Sequence, residues 1–288
     1  MRASLPKYTR LAKTQHDVDR AQRVRFQSIA RDLKIAVALD PRVGREISSV
    51  DNLETTYHLL LCRGQELIGT ARLALPNREI AAVTGCPFGF ELEEEFDLSS
   101  LSAIPRLAEV ARVCILAPWR STNAVLRLYE GLYCLSRELG VTHWIGGVDC
   151  QTSRADEAEL MRSVLEHRNL IDPRFCVEAH SSPAENTDSG AFYSDHERAR
   201  AKERPDKLRI ASTLVTFTRR LGARCIGLAA RHPAFPRCVM PMLAALDELP
   251  ESTLAKFDLS MLAPAPGRLL SPSAVLPAND VGTQREAS

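Results

Sequence analysis

EVARVCILAPWRSTNAVLRLYEGLYCLSRELG, residues 109–140, decides how the rest of the chain is read. It opens as a short apolar run carrying one carboxylate and one guanidinium, Glu109 and Arg112, and is interrupted at Pro118. Beyond the proline, Leu126, Tyr129, Leu132, Tyr133, Leu135 and Leu139 recur at helical spacing. The stretch therefore reads as strand, turn and helix. Such a unit gathers the last strand carbonyls and the first helix amides around one crevice. There, orphan N–H groups and the helix dipole favour an anionic group such as a phosphate.

Working outward, Asp17 is the expected N-cap of a helix through Val18, Ala21, Val24, Phe26, Ile29 and Leu33, with Arg23 and Arg25 on different sides of it. Residues 41–54 are polar and turn-like, and residues 56–75 read as a hairpin joined at Arg63-Gly64-Gln65. Downstream, THWIGGVD (142–149) is a short buried strand reached through a helix, which favours parallel neighbours and an α/β sheet. A helix over about 155–170, a strand in RFCVEAH, a helix ended by Gly222 and a strand in RCIGLAA follow. CVMPMLAALDEL reads as a last strand or short helix broken at Pro241. Residues 1–12 look like a loose lead-in and 180–207 like a mobile charged loop. Residues 263–288 have the proline-rich look of a disordered tail, which leaves a single domain over 13–262.

With 45% hydrophobic and 25% charged residues, the 288-residue chain has the composition of a globular protein. A formal net charge of +1 argues against general nucleic-acid binding. The eight cysteines show no C-x-x-C pairing, so their spacing suits no zinc site, and reduced thiols in the cytoplasm are the expectation. MRASLPKYTR lacks the apolar stretch of a secretory signal, and no window reaches the roughly 18 apolar residues of a spanning helix.

EFDLSSL, EVARVCILAPWR, the helix leading to WIGGVD, AELMRSVLEHRNLIDPRFCVEA and RRLGARCIGLAARHPAF resemble, in that order and spacing, the ornithine N-acyltransferase (hemolysin-like) branch of the GNAT acyltransferase superfamily. AQRVRF and HLLLCRGQELIGTARL are similar to that branch and to its relatives, the acyl-homoserine-lactone synthases and N-acyl amino acid synthases. The resemblance covers about 18–249. It implies an α/β (α+β) fold with a mixed, centrally splayed β-sheet flanked by helices, and pantetheine in the V-shaped gap. The implied enzyme moves a fatty acyl group, 3-hydroxylated in the nearest branch, from acyl carrier protein to the α-amine of ornithine, giving a lyso-ornithine-lipid-type product. The donor is acyl-4'-phosphopantetheine on its carrier, with no bound cofactor or metal; a membrane-lipid product is compatible with peripheral membrane contact. The positions matching the family's charged centre are Arg25, Arg72, Glu109 and Arg112, and Asp51 and Glu54 fall where relatives hold carboxylates. The branch usually reads G-R-S-C where this chain has Ala111-Arg112-Val113-Cys114, and the 180–207 loop is long for it, so a different amine acceptor stays open.

The chemistry can be argued from the residues as well. An amine attacking a thioester must be neutral, so a group must accept its proton, and the tetrahedral intermediate needs donors aimed at its oxygen. Glu109 can serve as base or as anchor for a cationic substrate; a tight pair with Arg112 would lower its pKa and favour the anchor. In a regular strand residues 109 and 112 point to opposite faces, so a bulge is needed to bring them together; otherwise each pairs with other charges at a sheet end. A backbone N–H near Val113, Cys114 and Ile115 is the expected oxyanion donor. The turn APWRSTNA holds no glycine, which disfavours the two phosphates of coenzyme A, whereas one phosphate could sit at the helix start with Arg120, Ser121 and Thr122. Arg120 and Arg127 could also dock an acidic carrier, or form an ordinary solvated face. Phe88, Phe90 and Phe96 either line an acyl tunnel or fill core. Cys114 adjoins the site and reads as a buried structural thiol before an acyl-cysteine nucleophile, and His58, His143 and His167 as core histidines before catalytic ones. The alternatives are a long-chain N-acyl amino acid or signal synthase, an acetyl-coenzyme A enzyme, which the glycine-free turn disfavours, and a non-catalytic module that binds acyl carrier protein or lipid.

Overall fold

A computed structural model of the chain describes residues 7–32, 42–181, 191–201, 204–233, 235 and 237–257. The 263–288 tail lies outside the described residues, as do 1–6 of the lead-in and 182–190 and 202–203 of the charged loop. Eight strands form one sheet. Its order is β1 (Lys7–Leu11), β2 (Thr56–Arg63), β3 (Glu66–Ala74), β5 (Leu107–Ile115), β6 (His143–Asp149) and β10 (Cys238–Ala245), with β8 (Arg224–Cys225) and β9 (Ala230–Arg231) both on the far edge of β10. β4 (Phe96–Asp97) and β7 (Glu178–Ala179) make a separate two-stranded pair. The pairings between these strands are antiparallel except β5 with β6, and isolated parallel bridges join Ile171 to Cys225 and Val177 to Gly227.

The two-residue period of the strands divides the sheet's faces. On one face Leu59, Leu61, Ala71, Leu73, Ala108, Val110, Trp144, Met240 and Met242 meet α3 (Ala124–Leu139), α4 (Ala155–His167) and α6 (Ser212–Leu221) in the main core. On the other, Leu60, Cys62 and Cys114 pack under α1 (Gln15–Phe26) with Ala21 and Val24, while Ala74, Leu107, Ile145 and Val239 pack under Phe88, Phe90, Phe96 and Leu98. Between these two apolar patches lies the ground left to polar side chains. Three short helices, α2 (Arg78–Thr84), α5 (Asp195–Ala201) and α7 (Glu251–Leu254), complete the described elements besides single tighter or wider turns.

β5 and β6 are the parallel neighbours that the crossover predicts, and they are in register only from Leu107/His143 to Glu109/Ile145. Both strands run on, to Ile115 and Asp149, without pairing each other further. The sheet therefore splays at its centre. Gly146 sits at the start of the divergence, where an added Cβ would meet the Val110 carbonyl oxygen at 2.7 Å. Gly140 and Gly222 end α3 and α6 in the left-handed region (φ 70° and 64°), as their positions predict.

Several expectations are corrected. Lys7–Leu11 is not a loose lead-in but an edge strand paired with β2 from Lys7/Arg63 to Leu11/Leu59. Thr14, not Asp17, caps α1, its side chain accepting the Asp17 amide, while Asp17 pairs with Arg10. RFCVEAH contributes only Glu178–Ala179, and RCIGLAA is split between two short strands. Pro241 does not break β10: its carbonyl accepts from Ile226, so its missing N–H also faces that side, between β8 and β9, and costs no bond to β6. Within 180–207, residues 191–201 are tied down, because the buried Glu157 carboxylate accepts the amides of Phe192 and Tyr193 and pairs with Arg198.

Gly146→Ala should destabilise the protein by about 1–3 kcal/mol, since the added methyl meets backbone rather than a movable side chain. Urea unfolding followed by circular dichroism measures it; a loss no larger than that of an exposed substitution would contradict the close approach.

Candidate active site

The polar ground between the two apolar patches is filled by three guanidiniums. Arg25 comes from α1, Arg72 from β3 and Arg112 from β5, and the first two are fully buried. A buried charge must be matched, and the matching carboxylates come from three other places. Asp51 and Glu46 lie in the 42–55 turns, Glu91 opens the 3-10 turn Glu91–Glu94, and Glu109 is on β5.

Arg25 donates to Asp51 through both terminal nitrogens, one at 2.9 Å, and its Nε lies 2.6 Å from a Glu46 oxygen. Asp51 also accepts from Gln22 Nε2 (2.9 Å) and the Ser48 amide (3.0 Å). Arg72 donates to the Ser48 hydroxyl at 2.9 Å and to Glu91, and reaches Asp51 at 3.4 Å and Glu109 at 3.7 Å. Arg112 donates to Glu46 at 2.9 Å and to Glu91 at 2.8 Å. The Glu91 amide donates to Glu109 at 3.0 Å.

A bulge makes this possible. From Thr70/Cys114 to Arg72/Ala111, the single Ala71 of β3 faces both Arg112 and Val113, and Arg112 takes φ 54°. The extra residue returns Arg112 to the face of Glu109. The sequence reading needed such a bulge for the two to converge, and they do share one cavity, though each is paired with other groups.

That cavity, about 240 Å³, opens over the divergence of β5 and β6. Glu109, Ala111 and Arg112 line it from β5, Gly147 from β6 and Val239 from β10, with Glu46, Glu91, Leu92, Glu94, Glu95, His232 and Phe235 around them. Five carboxyl side chains, one guanidinium and one histidine face this cavity.

The carboxylates do not titrate alike. Burial opposes ionisation of Asp51, yet Arg25, Ser48 and Gln22 hold its carboxyl well below the usual range. Burial likewise opposes Glu91, but Arg112 and Arg72 bring it down to about 2. Burial dominates at Glu109 and raises it, with Arg72 pulling the other way. Burial, then the charges of Glu109, Glu91 and Glu94, push Glu95 up to about 8. His232 is driven down to about 4 by burial and by Arg112, so it is neutral near pH 7.

Of the residues singled out from sequence, Arg25, Arg72, Asp51, Glu109 and Arg112 converge. Glu54 does not; it is exposed outside the network. Val113 packs into the main core and Cys114 under α1, its thiol pushed up to about 11 by burial, which suits a structural thiol. Ile115 ends β5, and its carbonyl accepts from Ser28 (3.4 Å) and Arg120 (2.9 Å). Arg120 also donates to the Ser28 hydroxyl at 3.0 Å, so it ties the turn to the π-helical turn Gln27–Asp32 that follows α1. Thr122 donates to the Trp119 carbonyl and accepts the Ala124 amide, Ser121 is exposed, and Arg127 pairs with Glu130 at 2.6 Å. Phe88 and Phe90, stacked with centroids 5.2 Å apart, and Phe96 are core residues and do not line the cavity. His58 is buried against the Asp51 carbonyl at 2.8 Å, as a core histidine should be; His143 bonds Thr142 and His167 is exposed.

Sequence reading missed Glu46, Glu91, Glu95 and His232. One signal was present: three arginines in otherwise apolar elements require counter-charges, and ELEEEF, residues 91–96, sets four acids against a core phenylalanine. It also favoured Glu109 as anchor on the strength of an Arg112 pair. Arg112 is instead paired with Glu46 and Glu91, and Glu109 is raised, which suits a proton acceptor.

The shifts set the pH dependence of stability. The Glu91 contribution, from a carboxyl held down at about 2 in the folded state, is present above its ordinary value of 4.5 and is lost as pH falls toward 2. Glu95 works the other way: between 4.5 and about 8 the folded chain holds a proton that the unfolded chain has released, so stability falls as pH rises. One such group steepens the fall by at most about 1.4 kcal/mol per pH step of one. Glu95→Gln should therefore flatten the stability profile between pH 5 and 8, read by urea unfolding at several pH values; an unchanged slope would contradict the shift.

Residues 25–130, which hold the whole arginine set, match the family model described as Acetyltransferase (GNAT) domain. Over 182 residues the chain is 28% identical to the L-ornithine N(alpha)-acyltransferase of Rhizobium meliloti (strain 1021), covering 59% of each. It is 26% identical over 173 residues to the protein of the same name from Agrobacterium fabrum (strain C58 / ATCC 33970), covering 56% of this chain and 57% of that one. The match thus spans less than two thirds of these relatives' length. Among solved structures, FeeM, an N-acyl amino acid synthase from uncultured soil microbes, is similar at TM-score 0.48 and 13% identity, over 85% of this chain and 93% of that one. The family model matched over residues 25–130 and the names of the relatives, ornithine N-acyltransferases, agree with the resemblance read from the motifs.

Proposed function

We propose that the chain is an N-acyltransferase that joins a fatty acyl group to the α-amine of an amino acid, ornithine above others. The observation that carries the reading is Glu109: a buried, raised carboxyl at the point where β5 and β6 part, in a cavity lined by four further carboxyl side chains. An ammonium entering there meets a group able to take its proton. The freed amine attacks the thioester carbonyl, a C–N bond forms, the C–S bond breaks, and the departing sulfur leaves as thiol with the second proton of the amine. The products are an amide and a thiol.

The donor side has its own support. Leu116 donates its amide to Ile68 on β3 at 3.0 Å, so by strand alternation the Ile115 amide turns the other way, toward the side β6 has left. An amide in that position can stabilise the oxyanion of the tetrahedral intermediate. The 117–123 turn holds no glycine, and its Arg120 and Thr122 side chains are engaged with Ile115, Ser28 and Trp119. A pyrophosphate cradle of glycine amides is not built there among the described residues. We therefore infer a donor held by acyl carrier protein, its acyl chain presented on phosphopantetheine along the splay. No helix among the described residues is long and apolar enough to cross a membrane; contact of a lipid product with a membrane surface belongs to the same proposal.

Incubation with acyl and 3-hydroxyacyl carrier-protein thioesters and an amino-acid mixture should give an N-acyl amino acid, identified by mass, with acyl-ornithine foremost. Glu109→Gln should lower kcat by about 100-fold or more, the usual share of a positioned base, with the carrier still bound. A variant that keeps full turnover would remove Glu109 from proton transfer. Carrier binding with no product from any acceptor would favour a binding module instead.

A further inference from the structure

Glu95 is the acid of the cavity that the arginine network leaves over. Its side chain is only 7% exposed and lines the cavity, yet its carboxyl accepts no hydrogen bond from any described residue. The nearest basic nitrogen is His232 Nε2 at 3.7 Å, beyond hydrogen-bond reach and on a ring that is neutral near pH 7. Glu46, Glu91 and Glu109 are each in contact with a guanidinium, and Glu94 is exposed at the rim.

Its backbone is fixed on both sides. The Glu95 amide donates to Leu92 at 3.1 Å and its carbonyl accepts from His180 at 2.9 Å, immediately before Phe96 enters β4. The backbone is therefore fixed, while the carboxyl faces the cavity with no hydrogen-bond donor of the described residues on it. Around it the lining is short and mixed: the His232 and Phe235 rings lie 4.4 Å apart, and Leu92 and Val239 give apolar wall. The same cavity thus offers two acid positions, Glu109 and Glu95, with apolar surface among the side chains around them.

We propose that Glu95, flanked by His232 and Phe235, is the subsite for the distal ammonium of a diamino acid and determines which amine acceptor the cavity takes. This rests on the acceptor reading above and adds to it the group that tells a diamino acid from a neutral one. A cation at Glu95 must ionise a carboxyl whose folded pKa of about 8 keeps it mostly protonated at pH 7, so binding expels a proton into solution. The groups that face Glu95 and set that equilibrium are Glu91, Glu94, Glu109, Arg112 and His232.

The test compares ornithine with norvaline, which has the same carbon chain and no distal amine. By isothermal calorimetry at pH 7 the wild-type protein should bind ornithine at least tenfold more tightly than norvaline and release close to one proton, read from the heat in buffers of different ionisation enthalpy. Glu95→Gln, an isostere of the protonated carboxyl, should abolish both the preference and the release. Glu95→Asp should restore part of each. In turnover, kcat/KM for ornithine should fall at least tenfold relative to norvaline in Glu95→Gln. A preference and proton release that survive Glu95→Gln would overturn the proposal. Ornithine binding that depends on Glu95 without any acyl product would leave the subsite standing and overturn the acyltransferase reading; acylation with selectivity indifferent to Glu95 would do the reverse.

Discussion

The fold on this face of the sheet is governed by the cost of burying Arg25 and Arg72 with no solvent, and Arg112 with little. A single uncompensated guanidinium in such a place costs several kcal/mol, comparable with the whole stability of a domain. The chain answers with carboxylates from segments far apart in sequence: Glu46 is 66 residues from Arg112, and Glu91 is 19 from Arg72. Meeting them fixes the 42–55 turns and the 91–94 turn over β3 and β5. The same ion pairs that relieve the arginines therefore build two walls of the cavity.

How much of this was legible depends on whether the signal was local. The β5–α3 unit, the hairpin at Gly64 and the stops at Gly140 and Gly222 follow from periodicity and from glycine at a left-handed position. Glu109 and Arg112 stood out as charges in an apolar run. Glu46 and Glu91 did not, because each sits in a polar stretch where an acid is unremarked, and only the chain's return to Arg112 gives it a role. Lys7–Leu11 was missed for a related reason: KYTRL has too few apolar residues to read as a strand, and it becomes one because β2 leaves an open edge. The 191–201 segment is polar by composition yet is held by the buried Glu157 of α4 and by Arg209.

Four acids come to two different ends here, and the number of guanidiniums touching each decides which. Asp51 is held by Arg25 and reached by Arg72, Glu91 is held by Arg72 and Arg112, and both stay ionised. Glu109 has Arg72 alone, at 3.7 Å, and one amide; burial then outweighs attraction. Glu95 has none, and lies among other acids. A positioned base is most effective when its pKa is near the working pH, so withholding arginines is as much a part of the site as supplying them. Arg25, Arg72 and Arg112 each contact two of Glu46, Asp51 and Glu91, which leaves Glu109 with the longest guanidinium contact of the four.

The bulge at Arg112 shows which cost is the smaller. A non-glycine residue at φ 54° in a strand carries about 1–3 kcal/mol of strain. In a regular strand position 112 would instead turn to the face of Val110 and Ala108, into the apolar contacts with α3, and Glu46 and Glu91 would each lose their Arg112 contact. A guanidinium among those side chains, and two carboxylates short of a partner, would cost more than the strain saved. The extra residue also offsets β5 against β3 at the level where β5 and β6 cease to pair. One local distortion therefore places the third arginine and coincides with the opening at which the cavity forms, so the strain at Arg112 belongs to the architecture of the site.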